Sequence, residues 1–261
     1  MRIGHTLAAM LLTTATATGG AALGEVVMEE VAYTHGETML VGYLAYDNAV
    51  EGKRPGVLVI HEWWGLNDYA KKRARMLADL GYVAFAADMY GKGKVTEDPT
   101  KAANWSGHMS GNVDLWRKRA MRGLDVLKGR PRTDAARLAA IGYCFGGSTV
   151  MQLAYAGADV DGVVSFHGSL PPAPGDAAVD AEVLICHGAA DGFTSAEKQA
   201  NFKRSLNDIG AAWTFIAYSG AEHSFTNPGA DEHGIDGVSY NERADRRSWR
   251  HMRVFFDAIF E

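Results

Sequence analysis

The chain has 261 residues, 47% hydrophobic and 22% charged, enough apolar material for one sizeable core. Its formal net charge of −5, with no long basic run, argues against nucleic acid as a partner.

Residues 1–24 read as a secretory signal peptide. Arg2 precedes an apolar run over 7–12, and small residues follow, ending in Ala22-Leu23-Gly24, with cleavage expected after Ala22 or Gly24. The apolar run is too short for a permanent membrane anchor. The expectation is an exported protein, secreted or periplasmic, with a single domain over 25–261. Residues 26–33 and 39–46 alternate as two antiparallel strands around the turn His35-Gly36-Glu37. Residues 56–60 are continuously apolar, as in a strand buried on both faces, and run into His61-Glu62-Trp63-Trp64-Gly65. Helical spacing of Ala70, Ala74, Leu77 and Ala78 predicts a helix over 69–80, stopped at Gly81. Residues 82–87 form the next buried strand, ending at Asp88-Met89-Tyr90.

Residues 91–112 lack clear periodicity and predict a loop or short lid helix. A helix over 113–127 and a strand over 137–143 follow, then a helix over 148–156. Strands at 161–166 and 182–186 are separated by a Pro-rich loop; a helix over 195–209, a strand over 212–218 and a closing helix over 241–260 complete the chain. The arginines of that last helix recur three and four apart, as on a solvated face. Strands alternating with helices predict an α/β fold with a doubly wound, mostly parallel sheet and N-terminal antiparallel strands. In such sheets ligands bind outside the carboxyl ends of the strands.

The stretch Ile141-Gly142-Tyr143-Cys144-Phe145-Gly146-Gly147 leads an apolar strand into a helix through Gly-x-Cys-x-Gly. It resembles the nucleophile elbow of the α/β-hydrolase fold, with cysteine where serine is usual. The flanking glycines leave room for strand and helix to pack closely. The sulfur is aimed at the positive end of a helix, which stabilises negative charge there. The other cysteine, Cys186, lies in an apolar strand. With one strand between them, the two thiols are about 9.6 Å apart, beyond the reach of a disulfide. Cys186 therefore reads as core and Cys144 as a free thiol.

A thiol nucleophile needs a base, and the base an orienting acid. On this fold the acid and then the histidine follow the nucleophile in the chain. Asp191 follows the strand that ends in Cys186-His187-Gly188, and His223 follows the next strand. His61, His167 and His187 also lie at strand ends but precede Asp191; His61 and His187 read as packed groups and His167 as lining the pocket. No histidine pair has metal-ligand spacing, so neither a metal nor another cofactor is expected.

Together, His61-Glu62-Trp63-Trp64-Gly65, Ala87-Asp88-Met89-Tyr90, the Cys144 elbow, His187-Gly188-x-x-Asp191 and His223-Ser224-Phe225 resemble the dienelactone hydrolases, in order, over about residues 30–260. The resemblance implies a Cys144–His223–Asp191 triad that hydrolyses small esters or lactones through an acyl-thioenzyme. It also implies that Glu62 contacts the resting thiol, and that the backbone N–H groups of Trp63 and Phe145 form the oxyanion hole. Members that cleave dienelactone hold the substrate carboxylate with two arginines. Lys92 and Asn227 stand at the matching positions, which argues against an anionic dienelactone. Trp63, Trp64 and Tyr90 point to a more apolar substrate pocket, whereas Trp105 reads as core or lid packing. The implied partner is a small ester or lactone, the implied assembly a monomer or small homo-oligomer. The competing reading is a non-catalytic small-ligand-binding protein on a hydrolase scaffold.

Overall fold

The computed structural model describes residues 24–261; the expected signal peptide, except for Gly24, lies outside the described residues. Strands β1 (Val26–His35) and β2 (Thr38–Asp47) form an antiparallel hairpin in register from Val26↔Asp47 to His35↔Thr38. Six further strands follow: β3 (Arg54–Ile60), β4 (Val83–Ala87), β5 (Thr133–Tyr143), β6 (Gly162–Phe166), β7 (Glu182–Gly188) and β8 (Trp213–Tyr218). The sheet order is β1-β2-β4-β3-β5-β6-β7-β8. β2 meets β4 antiparallel, and every pair beyond it is parallel. The parallel part needs helical crossovers, which cover both faces.

Alternation along β3 shows the result. Val57 and Val59 enter one core with Ala74 and Leu77 of α1 (Asp68–Ala78) and Met252 and Phe256 of α6 (Glu242–Ile259). Leu58 and Ile60 enter the other core with Leu124 of α3 (Val113–Lys128), Val150 and Leu153 of α4 (Phe145–Tyr155), and Phe202 of α5 (Ala196–Asp208). All of these residues are almost completely buried, each side chain larger than alanine contributing about 1.5–3 kcal/mol.

Two elements run longer than the sequence expectation. Residues 99–110 form a full helix, α2 (Pro99–Ser110), started by Asp98, whose Oδ1 accepts from Thr100 N–H at 2.9 Å, and by Pro99 in the first turn. Its periodicity is weak because only Ala102 and Met109 are buried. β5 begins at Thr133, since the chain re-pairs with Arg54 and Pro55 across an irregularity in register. Those extra positions carry no apolar run to announce them.

Cys186 lies on β7, separated from the elbow by β6, and both cysteines are free. Burial pushes the Cys186 thiol up to about 12, and Tyr218 donates its hydroxyl to the sulfur at 3.5 Å.

Candidate active site

Cys144 stands between β5 and α4 at φ 52°, ψ −113°, a conformation that costs a non-glycine residue of order 1–3 kcal/mol. The glycines of the motif are required by close approach. A Cβ on Gly142 would lie 2.0 Å from Gly146 O, and one on Gly146 would lie 2.3 Å from Ile60 O. The helix therefore sits directly against the ends of β5 and β3, with the sulfur carried above the sheet.

Cys144 and His223 both line a cavity of about 320 Å³. Its walls are chiefly Trp63, Trp64, Trp116, Phe145, Ile235 and Val238. Phe193, which lines it too, packs edge-on against His223 with ring centroids 5.3 Å apart. No lysine or arginine is among the described residues that line it.

His223 Nδ1 lies 2.8 Å from Asp191 Oδ2, and the other carboxylate oxygen accepts from Phe193 N–H at 2.9 Å. Burial alone would lower the basicity of His223. The charge interaction with Cys144, followed by the Asp191 hydrogen bond, outweighs it and pushes the imidazole up to about 10. Burial likewise works against the Asp191 carboxylate, but the hydrogen bond and charge of His223 hold its pKa below the usual range.

The amides of Trp63 and Phe145 find no acceptor among the described residues. Phe145 opens α4, where the first N–H groups have no partner within the helix. Two such donors beside the Cys144 thiol have the form of an anion-stabilising pair.

Glu62 is 1% exposed, and burial raises its pKa. Ser224 Oγ donates to Oε1 at 2.9 Å, and Asn227 Nδ2 donates to Oε2 at 2.6 Å. The hydrogen bonds of Glu62 thus go to the loop that follows His223, and none goes to Cys144. The carboxylate ties the end of β3 to that loop.

Of the residues expected at the substrate, Tyr90, Lys92, His167 and Asn227 do not line this cavity. Asn227 is buried, donating one N–H to Glu62 and accepting from Gly229 N–H at 3.0 Å, so its side chain is engaged within the protein. Lys92 borders a separate cavity with Lys71 and Lys94, because the turn through Gly91 and Gly93, both at positive φ, carries it away from Cys144. His167 is fully buried: Nδ1 accepts from Cys144 N–H at 3.0 Å, while Nε2 meets Thr226 Oγ1 at 2.6 Å. Burial, followed by the nearby charge of His223, drives its pKa well down, so it stays neutral and can accept. It joins the elbow to the His223 loop.

Tyr90 lies behind the cavity wall, its ring 5.4 Å from Phe145 and 5.7 Å from Trp105. Trp64 is in the wall itself, stacked at 4.0 Å on His233. His61 accepts from Met89 N–H at 3.2 Å, and His187 packs on Phe215; both are buried. Ser148, Ser169, Trp116, Ile235 and Val238 were not legible as pocket residues, since nothing local distinguishes them. Among the described residues no group of three His, Cys, Asp or Glu side chains could hold a metal ion.

An eight-stranded sheet of this order, with a strained residue at the strand–helix turn after β5, is that of an α/β hydrolase. Comparison with known proteins narrows the class. The model of the dienelactone hydrolase family matches residues 40–260. The chain belongs to the dienelactone hydrolase family and is a carboxylic ester or lactone hydrolase.

A solved dienelactone hydrolase-like promiscuous phosphotriesterase from metagenomic libraries is 39% identical, with TM-score 0.86, covering 90% of this chain and 98% of that one. A second solved structure, m3DLH, is 41% identical with TM-score 0.87, covering 93% and 100%. A Methylorubrum extorquens protein, provisionally named a carboxymethylenebutenolidase, is 27% identical over 219 residues, which span 78% of this chain and 72% of the relative.

Proposed function

We propose that Cys144, His223 and Asp191 form a nucleophile–base–acid triad that hydrolyses small, uncharged carboxylic esters or lactones. The observation that carries this reading is the strained Cys144 facing the His223–Asp191 pair in one apolar cavity. The sulfur attacks the acyl carbon, and the charge formed on the carbonyl oxygen is taken by the N–H groups of Trp63 and Phe145. Each such donor contributes about 3 kcal/mol to the transition state. As the carbon–oxygen bond breaks, His223 delivers its proton to the leaving oxygen, giving an alcohol and an acyl-thioenzyme. Neutral His223 then takes a proton from water, the resulting hydroxide attacks the thioester, and the acid leaves as the sulfur regains its charge. Asp191 keeps the imidazole oriented and stabilises its charged form. Glu62 serves as a positioning residue that holds the His223 loop to β3.

An apolar wall without lysine or arginine supports a neutral substrate over an anionic one. Export of the mature protein is proposed on residues 1–24.

Mass spectrometry of the purified protein after brief exposure to p-nitrophenyl acetate tests the mechanism. The expected result is an acetyl adduct on Cys144 that decays with turnover, both absent from Cys144→Ala. A phosphotriester belongs in the same assay, given the activity in the name of the metagenomic neighbour. Turnover retained in Cys144→Ala would refute the triad. A reduced, folded protein with neither adduct nor turnover would favour a binding protein on this scaffold.

A further inference from the structure

Ser148 sits one turn along α4 from Cys144, its N–H on Cys144 O at 3.2 Å. Ser169 reaches the same spot from the loop after β6. Ser169 N–H donates to Ser148 Oγ at 2.9 Å, and the two hydroxyl oxygens are 2.7 Å apart. The pair has two hydroxyl hydrogens. One fills the contact between the oxygens, and the other finds no acceptor among the described residues. Both side chains line the cavity. The other serines there have used their hydrogens: Ser224 on Glu62 at 2.9 Å, Ser106 on Ala102 O at 2.8 Å, and Ser110 on Gly107 O at 3.4 Å.

We propose that the Ser148–Ser169 pair is a donor subsite that selects esters and lactones whose acyl part carries an oxygen acceptor, such as an alkoxy, hydroxy or keto substituent. The proposal rests on the hydrolase reading above. In the free protein, water takes the surplus hydrogen. A substrate that dries an apolar cavity must replace that water or leave the donor unpaired, and an unpaired buried donor is costly. The acyl side follows from proton delivery. The leaving oxygen must lie at His223, so the alcohol part occupies the side of Phe193 and Val238, which adjoin that ring and its backbone. The acyl part is left to the wall made by α4 and the β6 loop.

The test compares p-nitrophenyl methoxyacetate with p-nitrophenyl butyrate, whose acyl groups are close in size. The ratio of their kcat/KM values is measured in the wild type, Ser148→Ala/Ser169→Ala and Ser169→Thr. Comparing ratios cancels the different intrinsic reactivity of the two esters. Either single alanine would leave one hydroxyl whose hydrogen has lost its acceptor, so the double variant is the one that removes the donor. It should lower the methoxyacetate-to-butyrate ratio about tenfold, and Ser169→Thr, which keeps both hydroxyls, should retain the ratio of the wild type. An unchanged ratio in Ser148→Ala/Ser169→Ala overturns the subsite. Dissociation constants of both esters on Cys144→Ala, read by tryptophan quenching, separate the two readings. A preference for methoxyacetate that disappears in Cys144→Ala/Ser148→Ala/Ser169→Ala supports the subsite even if the wild type turns over neither ester. Equal affinities in Cys144→Ala overturn it.

Discussion

The substitution Gly146→Ala isolates the link between the Gly-x-Cys-x-Gly motif and the chemistry. The added Cβ would lie 2.3 Å from Ile60 O and 2.7 Å from His61 O, and real Cβ contacts are essentially never under 3.0 Å. The end of β3 and the start of α4 must therefore separate by at least 0.7 Å, the difference between 3.0 and 2.3. Both neighbours are backbone atoms, so no side-chain rotation relieves the overlap. Overpacking of this kind costs about 1–3 kcal/mol, which lowers Tm by about 2–12 °C in a chain of this size. The activity should suffer more. Trp63 N–H lies three residues beyond the end of β3 and Phe145 N–H opens α4, so the shift widens the gap between the two N–H groups proposed to hold the carbonyl oxygen. Losing one such donor costs about 100- to 1000-fold in kcat. Steady-state kinetics on p-nitrophenyl acetate, with calorimetry in parallel, measure both effects. Gly107→Ala in α2 is the control, because a Cβ there meets nothing within 4 Å. A Gly146→Ala protein with the Tm of the wild type and kcat/KM within about threefold of it would refute the argument.

His223 should make stability pH-dependent. Its folded pKa, about 10, lies above the usual 6.5, so its contribution is full below pH 6.5 and is lost as pH rises through 10. The difference in Tm between the wild type and His223→Gln should therefore shrink over that interval in calorimetry; a constant difference would contradict the assignment. His167→Phe keeps a ring of similar size but removes one of two acceptors from Cys144 N–H, which keeps Phe166 O at 3.0 Å, and one of two partners from Thr226 Oγ1, which keeps the Tyr69 hydroxyl at 2.6 Å. The loss is that of hydrogen bonds at about 0.5–1.5 kcal/mol each, expected as a lower urea midpoint at unchanged slope. An unchanged midpoint would show that the bridge contributes nothing.

What the sequence by itself determined was local or strongly periodic. The apolar runs that became β3 and β4 announce strands buried on both faces. The elbow is legible because every contact that demands its glycines involves backbone immediately around the turn or the adjacent strand. Asp191 and His223 are legible because each follows a strand end in the order this sheet requires. Only the tertiary structure decided what the side chains reach. Glu62 meets Ser224 and Asn227 across 162 and 165 residues of chain, and His167 meets Thr226 across 59. No spacing in the sequence encodes such a partner. The buried carboxylate and the neutral imidazole each needed hydrogen bonds, and packing brought Asn227 and Thr226 within their reach. Lys92 turned outward for the same kind of reason. Its place in the chain is beside Tyr90, but the backbone of a glycine turn set its direction.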